Sequence, residues 1–189
     1  MASIIAARAR RGMVLRALAA VLALFFAPPS VAQEQDLEYA IKATFLYKFV
    51  PFVVWPAGTF GADGAAVNIC VVAGADPFGA TLDEALAGQQ IDGRVFAARR
   101  LANATADAGC HVAYIAGSPA LVRQSLDAFA GQPVLTVTDS EVGADTGIVH
   151  FVIVDNRVRF EIDLTAAARN GLTISSRLLA LAIFVRTEP

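Results

Sequence analysis

The stretch of sequence that decides the fold covers residues 147–182 and reads GIVHFVIVDNRVRFEIDLTAAARNGLTISSRLLALA. Two runs rich in β-branched and aromatic residues, 148–154 and 157–163, flank the pair Asp155-Asn156. Both members of this pair tolerate the left-handed backbone that a two-residue turn requires. The sequence therefore predicts a β-hairpin here.

The second strand of this hairpin alternates strictly in polarity. Val158, Phe160 and Ile162 fall on one face of the strand, because successive side chains point to opposite faces. The other face is charged and carries Arg157, Arg159, Glu161 and Asp163. One face is thus expected to pack on the core and the other to meet solvent or a partner.

The charged face is a candidate ligand-binding or protein-binding surface. A two-residue turn places His150 opposite Glu161, where each side chain favours the ionised form of the other. The alternatives are a solvated sheet face and a catalytic His–Glu pair, although no serine, cysteine or metal site is placed to act with such a pair. The candidate ligand-face residues are His150, Arg157, Arg159, Glu161, Ser175 and Arg177.

Two short helices are predicted after the hairpin. Asp163 or Thr165 can cap a helix over 166–170, and Gly171 suits the left-handed stop after it. Ser175 can cap a last helix, at whose start free N–H groups could alternatively bind an anion. The inward side of that helix is expected to carry Leu178, Leu179, Ala182 and Val185.

Upstream of this stretch, strands alternate with helices. The predicted strands are 67–72, 94–100, 111–115 and 133–138, and the predicted helices are 37–50, 77–86 and 119–130. An acidic loop over 139–146 leads into the hairpin. This order predicts a three-layer α/β domain with a mostly parallel sheet flanked by helices and a C-terminal antiparallel hairpin.

The N-terminus has the pattern of a secretory signal peptide. Four arginines precede the apolar run 17–26, and small residues stand before a predicted cleavage point after Ala32. Ten apolar residues are too few for a membrane anchor, which needs about 20. We therefore predict a signal peptide over 1–32, a single domain over 33–189, and a periplasmic location.

The charge of the predicted mature chain argues against nucleic-acid binding. Four of the 15 basic residues lie within 1–32, which leaves 11 basic against 17 acidic residues and a net charge of −6. Proteins that bind nucleic acid need a basic surface to contact the phosphates. No pattern typical of a cofactor site or a catalytic site was found.

The chain contains two cysteines, Cys70 and Cys110. An exported protein with an even pair of cysteines favours a structural disulfide. A redox switch and a metal-ligand pair are the alternatives, but His111 and His150 complete no recognisable metal-ligand spacing. If the strands that carry the two cysteines are neighbours, the sulfurs come within bridging distance.

The first helix of the predicted mature chain is unusually rich in aromatic residues. Apolar positions recur at helical spacing from Leu37, and apolar side chains also occupy other sides of the helix. Such a helix is either sandwiched in the core or presented to a partner protein. The candidate partner-binding residues are Phe45, Tyr47, Phe49, Phe52 and Trp55.

An ordered set of short motifs resembles the YfiR family of periplasmic proteins (DUF4154). The motifs are ATFLYKF (43–49), WP (55–56), ICV (69–71), GR (93–94), RRL (99–101), CH (110–111), PVLTV (133–137), RFEIDL (159–164), GL (171–172) and SS (175–176). The resemblance covers most of the predicted mature chain. Cys70 and Cys110 match the bridging pair of the family, whereas the second cysteine pair that some relatives carry in the acidic loop is absent here.

The resemblance implies a non-enzymatic regulator, often dimeric. Such a protein would hold an inner-membrane diguanylate cyclase inactive by binding its periplasmic part, and would so lower cyclic di-GMP and biofilm formation. An OmpA-like outer-membrane lipoprotein would relieve the repression. A periplasmic small-ligand sensor for another membrane system is the alternative function.

Overall fold

The computed structural model describes residues 31–139 and 145–187. Residues 1–30 of the predicted signal peptide and 140–144 of the predicted acidic loop lie outside this description. The chain divides into two compact units, 1–35 and 36–189, and the fold below is that of the second unit.

The described residues form five α-helices and ten strands. The helices are α1 (Val31–Phe49), α2 (Ala80–Leu86), α3 (Pro119–Phe129), α4 (Leu164–Arg169) and α5 (Ser176–Leu179), with a 3₁₀ helix at Val50–Phe52. The strands are β1 (Val53–Val54), β2 (Val67–Val72), β3 (Gln90–Ile91), β4 (Arg94–Leu101), β5 (Val112–Ile115), β6 (Leu135–Asp139), β7 (Val149–Val154), β8 (Arg157–Asp163), β9 (Thr173–Ile174) and β10 (Phe184–Arg186).

Eight of these strands form one sheet in the order β10-β8-β7-β6-β5-β2-β4-β3. Neighbouring strands are parallel except in the pairs β3–β4 and β7–β8. Strands β1 and β9 form a separate antiparallel pair. The predicted mostly parallel sheet with a C-terminal antiparallel hairpin is therefore confirmed.

Helices cover both faces of the sheet, but unequally. Helices α1, α2, α4 and α5 contribute to the larger core, whose buried members include Leu46, Phe49, Ile69, Leu82, Phe151, Phe160 and Leu178. The smaller core lies on the opposite face, beneath α3, and includes Cys70, Ile115, Val122 and Phe129. Of the described helices, only α3 contributes to this second core.

The hairpin has the predicted register. His150 lies opposite Glu161, and Val154 lies opposite Arg157. Asp155 and Asn156 have φ angles of 49° and 56°, in the left-handed region that the two-residue turn demands.

The predicted disulfide is present. Cys70 on β2 is bonded to Cys110, which precedes β5, and their Cα atoms are 5.7 Å apart. Both cysteines are buried in the smaller core. Since β2 and β5 are adjacent parallel strands, the sheet itself brings the two sulfurs together.

The structure differs from the local predictions at several points. The second helix begins at Ala80 rather than at Pro77, because the Asp76 carboxylate accepts a hydrogen bond from the N–H of Phe78 and closes a turn first. Val185 lies on strand β10, since α5 ends at Leu179 and the chain then pairs with β8. The short strands β3, β9 and β10 were not predicted.

Candidate partner-binding surfaces

The aromatic side chains of α1 point mainly into the core. Phe45 and Phe49 stack with ring centroids 5.5 Å apart, and both contact Phe151 and Phe160 of the hairpin. Phe49 is only 1% exposed, so it offers no surface to a partner. Phe45 is half-buried and keeps one edge accessible.

The other three candidate aromatic residues are also half-buried. Tyr47 contacts Phe96, with ring centroids 5.7 Å apart. The indole N–H of Trp55 donates to the carbonyl of Val50 at 3.2 Å. Phe52 packs at the margin of the larger core. These side chains fix the end of α1 on the sheet and leave only part of their surface open.

The outward side of α1 carries a separate apolar stripe. Leu37 is 63% exposed and Ile41 is 37% exposed, and they lie one helical turn apart, followed after another turn by Phe45. Ala40, Ile41, Thr44, Phe45 and Lys48 line a shallow apolar depression of about 300 Å³. We call Leu37, Ile41 and the open edge of Phe45 the α1 stripe.

A buried ion pair anchors α1 to the end of β6. Lys42 and Asp139 are each 1% exposed, and the Lys42 Nζ lies 3.2 Å from Asp139 Oδ2. The Tyr114 hydroxyl donates to the same carboxylate oxygen. On its other side, Lys42 pairs with Glu38 at 2.5 Å and lies over the ring of Tyr39.

This arrangement keeps Lys42 charged in spite of its burial. Burial alone lowers the pKa of Lys42, but the hydrogen bond to Glu38 and the negative charge of Asp139 outweigh it, so the pKa of Lys42 is raised above 10.5. Neither Lys42 nor Asp139 was among the predicted functional residues. Asp139 was predicted to open an acidic loop, whereas it is the last residue of β6 and is fully enclosed. The one sequence feature that could have indicated it is a lysine among the apolar residues in the second half of α1.

The charged face of the hairpin is open. Arg157 and Arg159 are exposed, and His150 and Glu161 are partly buried. His150 and Glu161 line a small cleft together with Phe184 and Arg186 of β10. The structure thus brings four of the six candidate ligand-face residues onto one surface.

The remaining two candidates, Ser175 and Arg177, do not line that cleft. The Ser175 hydroxyl accepts from the N–H of Leu178 and caps α5, as predicted. Helix α5 is only four residues long, which makes an anion site at its start a poor prospect. Arg177 is exposed on this helix.

His150 contacts Thr138 and lies opposite Glu161. Its Nδ1 lies 3.0 Å from the Thr138 hydroxyl, and no hydrogen bond joins it to Glu161. Burial lowers the pKa of His150 below 6.5, and the opposing effect of the Glu161 charge is the smaller one. The charge of Glu161 thus favours the ionised form of His150, as expected, but burial outweighs it.

We expect the imidazole of His150 to titrate below pH 6.5 in a proton NMR titration of the ring protons. The pKa of His111 is lowered by burial too, so a His150→Gln variant is needed to assign the two signals. Because the folded-state pKa is depressed, protonation of His150 costs stability as the pH falls below 6.5. A His150 pKa above 6.5 would show that Glu161 dominates instead.

The described residues contain no cluster of three or more His, Cys, Asp or Glu side chains able to hold a metal ion. None of the helices within 31–139 or 145–187 is long and apolar enough to cross a membrane.

Comparison with known proteins gives one family. A family model described as YfiR/HmsC-like (DUF4154) matches residues 39–183, which includes the hairpin, both cysteines and most of α1. No match was found among curated proteins.

Proposed function

The chain belongs to the YfiR/HmsC-like family of periplasmic, non-catalytic regulators of diguanylate cyclase signalling, and on that premise we propose that it represses an inner-membrane diguanylate cyclase by protein–protein binding. The repressor would contact the periplasmic part of the cyclase and so lower cyclic di-GMP and biofilm formation. We further propose that it acts as a homodimer and that an OmpA-like outer-membrane lipoprotein relieves the repression.

The α1 stripe is the observation that carries this proposal. An isolated exposed leucine is ordinary, but Leu37, Ile41 and the edge of Phe45 form a continuous row on one side of a helix. Amphipathic helices bind grooves or other helices through apolar residues at this four-residue spacing. The shallow depression beside the row offers room for a side chain of the partner.

Contacts on the inward side of α1 hold the α1 stripe in place. Phe45 and Phe49 pack on the hairpin, and Lys42 is tied to Asp139, so the inward side of α1 is fully engaged. A preorganised surface loses less conformational entropy on binding. This supports a binding role for α1 in which the buried aromatic residues position the surface and the exposed residues contact the partner.

A double substitution, Leu37→Asp/Ile41→Asp, should abolish repression. Two carboxylates in an apolar contact must be desolvated on binding, and we expect at least about a tenfold loss of affinity for the periplasmic part of the cyclase. In a deletion strain complemented with this variant, cyclic di-GMP should stay at the level of the deletion strain. Cellular cyclic di-GMP, measured by mass spectrometry, reports the effect.

Val95→Asp serves as the matched control, since Val95 is an exposed apolar residue on β4 and is not part of the α1 stripe. This variant should restore low cyclic di-GMP. Both variants should melt close to the wild type because exposed positions contribute little to stability. Unchanged cyclic di-GMP on deletion of the gene itself would overturn the proposed function.

A further inference from the structure

A histidine and an arginine attach the loop between β1 and β2, residues 55–66, to the sheet. His111 precedes β5, and its Nε2 lies 3.2 Å from the carbonyl oxygen of Thr59 in the loop. Arg94 of β4 donates from Nη1 to three loop carbonyls, at distances between 2.6 and 3.3 Å. These carbonyls belong to Phe60, Ala62 and Ala65. Of the two attachments, only the histidine is of a type that titrates between pH 5 and 8.

The hydrogen-bond partners of His111 fix its protonation state. The backbone N–H of Asn68 donates to Nδ1 over 2.9 Å, so Nδ1 must carry a lone pair. The partner of Nε2 is a carbonyl oxygen, which can only accept, so Nε2 carries the proton. His111 is therefore neutral in this arrangement. A second proton, on Nδ1, would face the N–H of Asn68, and two donors would oppose each other.

The backbone of His111 is fixed, so only its side chain can respond to protonation. Its N–H donates to the Asn68 carbonyl at 3.0 Å, and its carbonyl accepts from the N–H of Leu135 at 2.8 Å. The residue is only 8% exposed, and its ring stacks on Phe60 with centroids 4.9 Å apart. An imidazolium can avoid the Asn68 N–H only by turning about its own side-chain bonds. Turning the ring breaks the contacts with Thr59 and Phe60 together, because one ring position makes both.

The surroundings of His111 also oppose its protonation. Burial lowers the pKa of His111 below 6.5, the hydrogen bond to the loop carbonyl opposes burial but is outweighed, and the positive charge of Arg94 adds to the lowering. Arg99, on the same strand as Arg94, donates to the carbonyl three residues before His111. Asp63, 3.6 Å from Arg94, and Asp92, in the turn before β4, are both exposed to water, which screens their charges. These neighbours disfavour the imidazolium while the loop stays attached.

The ring that stacks on His111 also forms part of the wall of an apolar pocket. Phe60 packs edge-on against Trp55, with ring centroids 5.3 Å apart. These two aromatic residues, together with Val67 and Ile91, line a pocket of about 150 Å³. Displacement of Phe60 therefore widens the pocket and exposes more of Trp55 to water.

We propose that His111 makes the attachment of this loop sensitive to acid: the neutral ring holds residues 59–60 against the sheet, and the protonated ring releases them and opens the pocket beside Trp55. The released imidazole has its ordinary pKa of about 6.5, above that of the attached one, so release becomes more favourable as the pH falls below 6.5. For one proton, the equilibrium constant of release rises by at most about tenfold per pH unit. Arg94 stays charged throughout and keeps the later part of the loop attached, so the opening is local. The surface that the protein offers to a partner then differs between neutral and acidic surroundings.

Hydrogen exchange of the Asn68 amide tests this inference, because that N–H donates to the ring in question. Exchange is measured by NMR on the protein with its disulfide intact, and each rate is divided into the rate of an unstructured peptide at the same pH. The protection of Asn68 relative to that of Val71, in the middle of β2, should be at least about threefold lower at pH 5.0 than at pH 7.5. Acrylamide quenching of Trp55, the only tryptophan of the chain, should rise over the same range.

The two histidines of the chain supply the variant and its matched control. His111→Gln should make the ratio of Asn68 to Val71 protection independent of pH, whereas His150→Gln should leave its fall intact. A constant ratio in the wild type would overturn the inference whatever the variants do, and so would a fall that persists in His111→Gln. The inference is independent of the proposed function, because the cyclic di-GMP response to the α1 stripe variant does not involve this loop.

Discussion

Asp139→Ala should lower the free energy of unfolding by about 3–5 kcal/mol, the range observed when one partner of a buried ion pair is removed. The substitution leaves the Lys42 ammonium in the core with only Glu38 as a counter-ion, and it also removes the acceptor of the Tyr114 hydroxyl. Urea unfolding at pH 7, followed by circular dichroism with the disulfide intact, measures the change.

Glu38→Gln is the matched control for this experiment. Glu38 pairs with the same ammonium, but its side chain is partly exposed to water, so a loss below about 1 kcal/mol is expected. An equally small loss for Asp139→Ala would contradict a buried, charged contact.

Lys42→Met separates the charge of the lysine from its volume. Because the pKa of Lys42 is raised on folding, the stability from its charge is fully present below the ordinary value of 10.5 and is lost as the pH rises through the raised value. The difference in unfolding free energy between the wild type and Lys42→Met should therefore stay constant from pH 7 to 9 and shrink above pH 10.5. A difference that already shrinks below pH 9 would contradict this.

Loss of the disulfide should have an effect of similar size. Cys70 and Cys110 are 40 residues apart, and the chain-entropy model gives about 4 kcal/mol for closing a loop of that length in the unfolded chain. We expect the Cys70→Ala/Cys110→Ala variant to unfold at a correspondingly lower urea concentration than the oxidised wild type.

Wild-type protein kept reduced in dithiothreitol provides the comparison. Its free energy of unfolding should match that of the double alanine variant, apart from a small further loss in the variant from the cavity that the missing sulfurs leave. Thiol titration of the unreduced, denatured wild type should detect no free cysteine. Two free thiols, or an unchanged unfolding midpoint after reduction, would contradict a stabilising bridge.

Most of the fold was predictable because its signals are local. The alternation of Val158, Phe160 and Ile162 and the turn at Asp155-Asn156 set the hairpin and its register, and the structure has both. The errors arose where tertiary contacts overrode local preference. Val185 follows a helical pattern in the sequence, but pairing with β8 takes it into a strand.

The candidate surfaces were less predictable, because a pattern of residue types does not state which side of an element is covered. The aromatic residues of α1 suggested a partner surface, yet Phe49 is buried against the hairpin and the exposed apolar row is Leu37 and Ile41. Likewise, nothing near Asp139 in the sequence indicates that Lys42, 97 residues earlier, contacts it.

The sequence by itself determined most of the elements of this protein and the register of its hairpin, since these follow from short-range periodicity and turn chemistry. It also favoured the disulfide, because each cysteine has a single possible partner in the chain. Only the tertiary structure decided which faces are open. Helix α3 lies over β2 and β5 and leaves β7, β8 and β10 bare, and α1 turns its phenylalanines inward. Whether a face is buried depends on contacts with residues that are distant in the sequence, so local sequence patterns do not determine it.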